Sequence, residues 1–200
     1  MNKIIFGITG LTLGGAERVL VDIANALVDK YDITIFTLYS KGELEKELDK
    51  KIHLVSLYDF KYTELSKFKR KMIPLKVLFS RRKIFKKYIE KGNYQAQIAF
   101  LEGPITRIFS TKSDAKKIAW IHNDISKVFG KSIKATIKRI LDRNIYEKYD
   151  TLAFVSVDNL DKFNKVYDDM DLPHETVIHN YINAERILEL SKKDEEAKKT

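Results

Sequence analysis

Four places along this chain carry residues whose types and settings suit chemistry. The stretch "ITGLTLGGAERVLVDIANAL" (8–27) leaves an apolar run, passes the adjacent glycines Gly14 and Gly15, and enters an amphipathic pattern. Glycines there can simply ease a tight turn. Alternatively, bare backbone N–H groups at a helix N-terminus, with their partial positive charge, can receive a phosphate-bearing ligand. Glu102, in "FLEGPITR", follows a second apolar run. Its carboxylate can accept ligand hydroxyls or merely complement the helix that opens at Pro104. His122 and Asn123 close a third run, "KKIAWIHND". A neutral imidazole can donate or accept at pH 7, and a histidine at such a point can equally be bonded to backbone beneath the next helix. Asn123, Asp124 and Ser156 have side chains suited to a helix cap as well as to a ligand.

What is missing narrows the chemistry. A dinucleotide fingerprint wants G-x-G-x-x-G and an acidic residue about 20 positions on. The glycines here fall at 7, 10, 14 and 15, and the second apolar run ends "FTLYSK" without a carboxylate. Nicotinamide and flavin binding are therefore not expected. "GGAERV" also lacks the Lys-Ser/Thr of a P-loop, which argues against an ATPase. There is no cysteine, no visible catalytic triad and no close His/Asp cluster, so no metal site is expected. The absence of cysteine fits a reducing compartment. No run approaches the roughly 20 apolar residues of a membrane span, and "MNKIIFGITG" is too short for a signal peptide. A soluble cytoplasmic protein is expected.

The net charge of +9 is concentrated. Twelve Lys/Arg stand against two Glu between Lys61 and Lys91, a net of +10, and the rest of the chain is close to neutral. Within it, "KFKRKMIPLKVLFSRRKIFKKYIEKG" reads as a helix opened by Pro74 and closed by Gly92. Val77, Leu78, Ile84, Phe85, Tyr88 and Ile89 share one face. Lys76, Lys83, Lys86 and Lys87 occupy the other with Arg82 nearby, and Arg81 breaks the pattern. A lysine near anionic lipid gains about 1 kcal/mol. Lys76, Arg82, Lys83, Lys86 and Lys87 are therefore the expected membrane-binding residues, with Phe60, Tyr62, Phe68 and Phe79 available to insert. The alternative is a solvated face. No RRM, KH or helix-turn-helix pattern accompanies the charge, so nucleic acid is not an expected partner.

The elements that must position these residues follow from periodicity. Apolar runs at 3–8, 32–39, 51–57, 95–101, 116–122, 150–156 and 175–180 read as strands separated by helix-length segments. Without tight hairpins between them, they imply βαβ crossovers and a doubly wound, mainly parallel α/β sheet, Rossmann-like, with ligands at the carboxyl ends of its strands. A single domain is expected over 1–183, with 184–200 as an interdomain helix or linker.

The loop ending "GGAER" and the helix "VLVDIANAL" resemble the N-terminal domain of retaining glycosyltransferases of the GT-B architecture, the family 4 type. "AWIHND", "AFVS" and "VIHNYIN" resemble, in order, the family's strand and cleft histidine, its last long strand, and its crossover into a second domain. The resemblance covers residues 1–190 and implies the acceptor-side half of a GT-B enzyme whose donor-binding C-terminal domain lies outside these 200 residues. It implies no cofactor or metal, a UDP- or GDP-linked sugar as donor substrate, and a lipid-linked or glycan acceptor in bacterial surface polysaccharide synthesis at the inner membrane face. His122 would orient the transferred sugar as the catalytic residue. Gly14 and Gly15 would lie near the diphosphate, with Glu102 and Asn123 as further substrate contacts. Such a half is expected to be inactive alone. The alternative is a non-catalytic membrane-anchoring or partner-binding subunit of a split glycosyltransferase.

Overall fold

The apolar run that opens the chain becomes the centre of a sheet because both of its faces are covered. In the computed structural model, which describes residues 1–125, 142–168 and 171–197, β1 (Asn2–Ile8) is flanked by β2 (Tyr31–Tyr39) and β4 (Ala96–Ala99). Beyond them lie β3 (His53–Tyr58) on one side and β5 (Lys116–Ile121), β6 (Thr151–Phe154) and β7 (His174–Val177) on the other. The order is β3-β2-β1-β4-β5-β6-β7 and every pairing is parallel. The expected doubly wound Rossmann-like sheet is thus the sheet found, and its direction of winding reverses between β1 and β4.

Alternation along the strands builds two cores. Ile4, Phe6 and Ile8 face α1 (Gly15–Leu27) together with Ile33, Ile35, Phe100 and Trp120. Ile5, Phe36 and Phe154 face the other way, onto α2 (Lys67–Tyr88), α3 (Pro104–Phe109) and α4 (Val157–Val166). Gly7 is required on that second face, since a Cβ there would lie 2.4 Å from the Phe109 ring. The C-terminal helix α5 (Ala184–Ala197) returns to α1, where Arg186 reaches the buried Asp22 at 3.5 Å.

The basic helix departs from expectation at both ends. It starts at Lys67, because the Ser66 hydroxyl accepts a hydrogen bond from the Lys69 amide. Pro74 lies inside it, removing one N–H donor but leaving the ladder on either side. Packing of Val77, Ile84 and Phe85 on the sheet outweighs that loss. The helix ends at Tyr88, followed by a short 3₁₀ turn, Glu90–Gly92, and the left-handed Asn93. Lys76, Arg82, Lys83, Lys86 and Lys87 are all exposed, as are Phe68 and Phe79. Phe60 and Tyr62 have ring centroids 6.0 and 5.3 Å from that of Tyr39 in one aromatic cluster, with Tyr62 still 43% exposed.

Candidate functional site

Each sequence-predicted residue with possible chemistry lies at the carboxyl edge of the sheet, but they fall into two groups. The first is the loop after β1. Its shape is set by backbone: the Thr9 carbonyl accepts from the amides of Leu38 and Tyr39, and the Leu11 carbonyl accepts from Leu44. Gly42 makes this possible, because a Cβ there would approach the Leu11 oxygen to 2.3 Å. Gly14 is the N-cap of α1 in ordinary extended geometry and offers no side-chain cap. A Cβ on Gly15 would meet nothing within 4 Å, whereas one on Gly14 would collide with the Glu17 carboxylate. Glu17 therefore leans over the helix start and complements its dipole from within the chain.

Beside this loop opens a pocket of about 400 Å³, bounded by Thr9–Thr12, Glu17, Tyr39–Glu43 and Lys61–Thr63. Gly14 and Gly15 do not line it. One wall is aromatic: Tyr39 stacks on Tyr58 with ring centroids 5.9 Å apart, and burial among the neighbouring tyrosines pushes its phenol up to about 12. Tyr39, Lys41 and Lys61 were not singled out from the sequence. The only local signal was the "SKG" turn, where Lys41 adopts a positive φ of 63°.

The second group is a clamp. Glu102 Oε1 accepts hydrogen bonds from the backbone amides of both His122 and Asn123, each at 2.7 Å, and Oε2 accepts from the Asn123 side-chain amide at 2.7 Å. Burial drives the Glu102 carboxyl above its usual range, and these three donors pull against that shift. Glu102 is therefore a positioning residue that shapes the turn after β5. The Asn123 carbonyl in turn accepts from Asn159 Nδ2 at 3.0 Å. Ser156 caps α4, its hydroxyl accepting from the Asn159 amide at 3.1 Å, as a cap reading anticipates. Asp124 pairs with Lys162 at 3.1 Å.

The product of the clamp is a fixed imidazole. The His122 ring packs on Phe100, centroids 4.6 Å apart, and on Trp120 at 6.0 Å. Burial lowers its pKa to about 4, so the ring is neutral at physiological pH. Among the described residues, His122 Nε2, Trp120 Nε1 and Asn159 Oδ1 are buried polar atoms without hydrogen-bond partners. A neutral ring nitrogen in that position suits a directional hydrogen bond rather than a charge. Among the described residues, no group of three or more His, Cys, Asp or Glu could hold a metal ion.

No protein-family profile matches the chain. Among curated proteins, it is 29% identical over 158 residues to a GalNAc-alpha-(1->4)-GalNAc-alpha-(1->3)-diNAcBac-PP-undecaprenol alpha-1,4-N-acetyl-D-galactosaminyltransferase of Campylobacter jejuni. That alignment covers 76% of this chain and 40% of the relative. Among solved structures, sucrose-phosphate synthase from Thermosynechococcus elongatus matches with a TM-score of 0.64 at 13% identity, covering 90% of this chain and 48% of that one. HepE of Anabaena, in complex with UDP and glucose, matches with a TM-score of 0.57 at 16% identity, over 91% and 45% of the two chains. This chain therefore spans 40% of the curated relative and about half of these two solved structures. The fold is the expected one, a Rossmann-like half of a GT-B architecture.

Proposed function

We propose that this chain is the acceptor-side half of a glycosyltransferase that moves a sugar from a nucleotide-sugar donor onto a lipid-linked or glycan acceptor in bacterial surface polysaccharide synthesis. The observation that carries this reading is the sequence relationship over three-quarters of the chain to an enzyme named for a undecaprenol-diphosphate glycan. The site supports it. A pocket with an aromatic wall and backbone polar groups suits a sugar ring, and His122 supplies one oriented, uncharged hydrogen-bonding atom at the same carboxyl edge of the sheet. The donor carries UDP or GDP, and the loop bearing Gly14 and Gly15 lies near its diphosphate. Transfer with retention then needs positioning and electrostatic stabilisation from the protein rather than a metal or a nucleophilic side chain.

The test is transfer of radiolabelled sugar from UDP- and GDP-linked donors to undecaprenyl-diphosphate glycans, using this chain alone and together with a C-terminal domain. Activity only with both, lost in His122→Ala, is the expected result. Robust transfer by this chain alone contradicts the half-enzyme reading. The second reading, a non-catalytic anchoring or partner-binding subunit, is favoured by one observation: Tyr181, Ile182, Ile187, Leu188 and Leu190 expose apolar surface near the C-terminal end. It predicts binding of a donor domain with no dependence of transfer on His122.

The membrane partner rests on α2. Phe68, Met72, Leu75 and Phe79 form one outward stripe, 72%, 46%, 49% and 85% exposed, and Arg82, Lys83 and Lys86 continue it. Helical spacing makes this a single face with apolar side chains first and cations after. Such a surface fits peripheral attachment to anionic lipid at the cytoplasmic face. Sedimentation with anionic vesicles should be salt-sensitive and abolished by joint Lys83→Glu, Lys86→Glu and Lys87→Glu changes. Unchanged binding removes this assignment.

A further inference from the structure

The amino edge of the sheet, opposite the loops described above, holds a cavity of about 780 Å³. It forms where α2, the turn after α3 and the segment leading into β6 converge. Six cations line it: Arg81, Arg82, Lys112, Lys116, Lys117 and Lys148. Two carboxylates oppose them, Asp114 and Asp150. Asp150 is already engaged, accepting a hydrogen bond from the Lys117 amide at 2.6 Å. Among the described residues, Arg81, Arg82, Lys112, Lys116 and Lys148 form no ion pair.

The lining is built rather than merely charged. Lys117 is only 5% exposed, donates from Nζ to the Thr111 carbonyl, and lies 5.6 Å over the Phe85 ring. Burial pushes its ammonium down to about 8; Asp150 resists the shift and Lys148 adds to it. Among the described residues, the Thr111 hydroxyl is buried without a partner. Arg81, the residue that broke the helical pattern in the sequence, is half-buried and faces this cavity instead of solvent. A solvated surface usually intersperses both signs of charge. Here like charges converge, which costs free energy until an anion joins them.

We propose that this cavity binds a phosphate-bearing ligand, either a soluble diphosphate or a phospholipid headgroup. Arg81 and Arg82 supply planar guanidinium forks that match phosphate oxygens, the lysines supply point charges, and the Thr111 hydroxyl supplies a neutral donor. The six residues of β5 separate the cavity from His122 by roughly 20 Å at about 3.3 Å per residue. The ligand here is therefore distinct from any donor at the carboxyl edge.

The experiment is calorimetric titration of the full chain at low ionic strength with two probes. One is inorganic pyrophosphate; the other is dihexanoyl phosphatidylglycerol below its micelle concentration. Submillimolar binding of either probe is expected, weakened at least about tenfold by joint Arg81→Gln and Lys116→Gln changes. Joint Lys46→Gln and Lys50→Gln changes, at exposed positions outside the cavity and outside α2, should stay within about twofold. Pyrophosphate binding identifies a soluble source and binding of the lipid alone identifies a headgroup. Failure of both probes, or equal weakening by the two variant pairs, overturns the proposal. If the first pair unfolds the chain by circular dichroism, Arg82→Gln with Lys148→Gln makes the same test. No glycosyl transfer is read, so failure here leaves the transferase proposal intact.

Discussion

The two edges of the sheet solve opposite problems. At the carboxyl edge, nearly every polar side chain is consumed within the chain: Glu102 holds three donors, Ser156 caps a helix, Glu17 leans over Gly14. Among the described residues, a few atoms, His122 Nε2 among them, are left over. In the basic cavity at the amino edge, charge is left over: among the described residues five of its six cations form no ion pair, and Lys117 is held by the Thr111 carbonyl. The clamp presents fixed geometry around an uncharged ring, and the cavity presents charge with little internal pairing. A site that must orient a neutral sugar needs the former, and a site that must hold an anion needs the latter.

The largest effect falls on the clamp. Glu102→Ala should destabilise the fold by about 3 kcal/mol in urea denaturation, since it strands two backbone amides and the Asn123 side chain in a buried setting. A loss below about 1 kcal/mol would mean that the turn holds itself. Next comes His122. Its folded pKa of about 4 lies below the unfolded value of about 6.5, so its neutral form favours folding fully above the unfolded pKa. The unfolded chain takes up that proton first as pH falls. Stability should therefore drop by roughly 2 kcal/mol between pH 6.5 and 4, and His122→Gln should flatten that part of the curve. Ser156→Ala should cost about 1 kcal/mol through the lost cap, visible as a lowered melting temperature. The smallest effect sharpens the amino edge. Lys117 has a folded pKa near 8 against about 10.5 unfolded, so stability should rise as pH climbs through that interval. Lys117→Met should remove the slope.

Local patterns in the sequence carried the frame. Continuous apolar runs located all seven strands of the sheet, with the carboxyl ends of β4 and β6 drawn two residues long and that of β7 three, because each run continues past the last paired residue; the Phe100 amide still donates to the Gly7 carbonyl at 2.8 Å. The Gly14–Gly15 turn and the neutral His122 at a strand end were equally legible. The start of α2 was not, since Pro74 is the stronger local punctuation and Ser66 acts through a cap visible only in three dimensions. The role of Glu102 was hidden for a different reason. Its partners lie 20 and 21 residues away, and parallel pairing of β4 with β5 is what brings them together. The basic cavity joins three segments, around Arg81, Lys116 and Lys148, and Arg81 showed in the sequence only as an exception to helical periodicity.

The stitching of the β1 loop to the segment after β2 carries a further consequence. With Thr9 and Leu11 carbonyls bound to Leu38, Tyr39 and Leu44, and Gly42 pressed against Leu11, this loop acquires its shape when the sheet forms. A ligand then meets a preorganised surface and has little backbone left to immobilise. The amides of Leu38, Tyr39 and Leu44 should already exchange slowly with solvent deuterium in the free protein, and a ligand arriving at the loop should slow them little further.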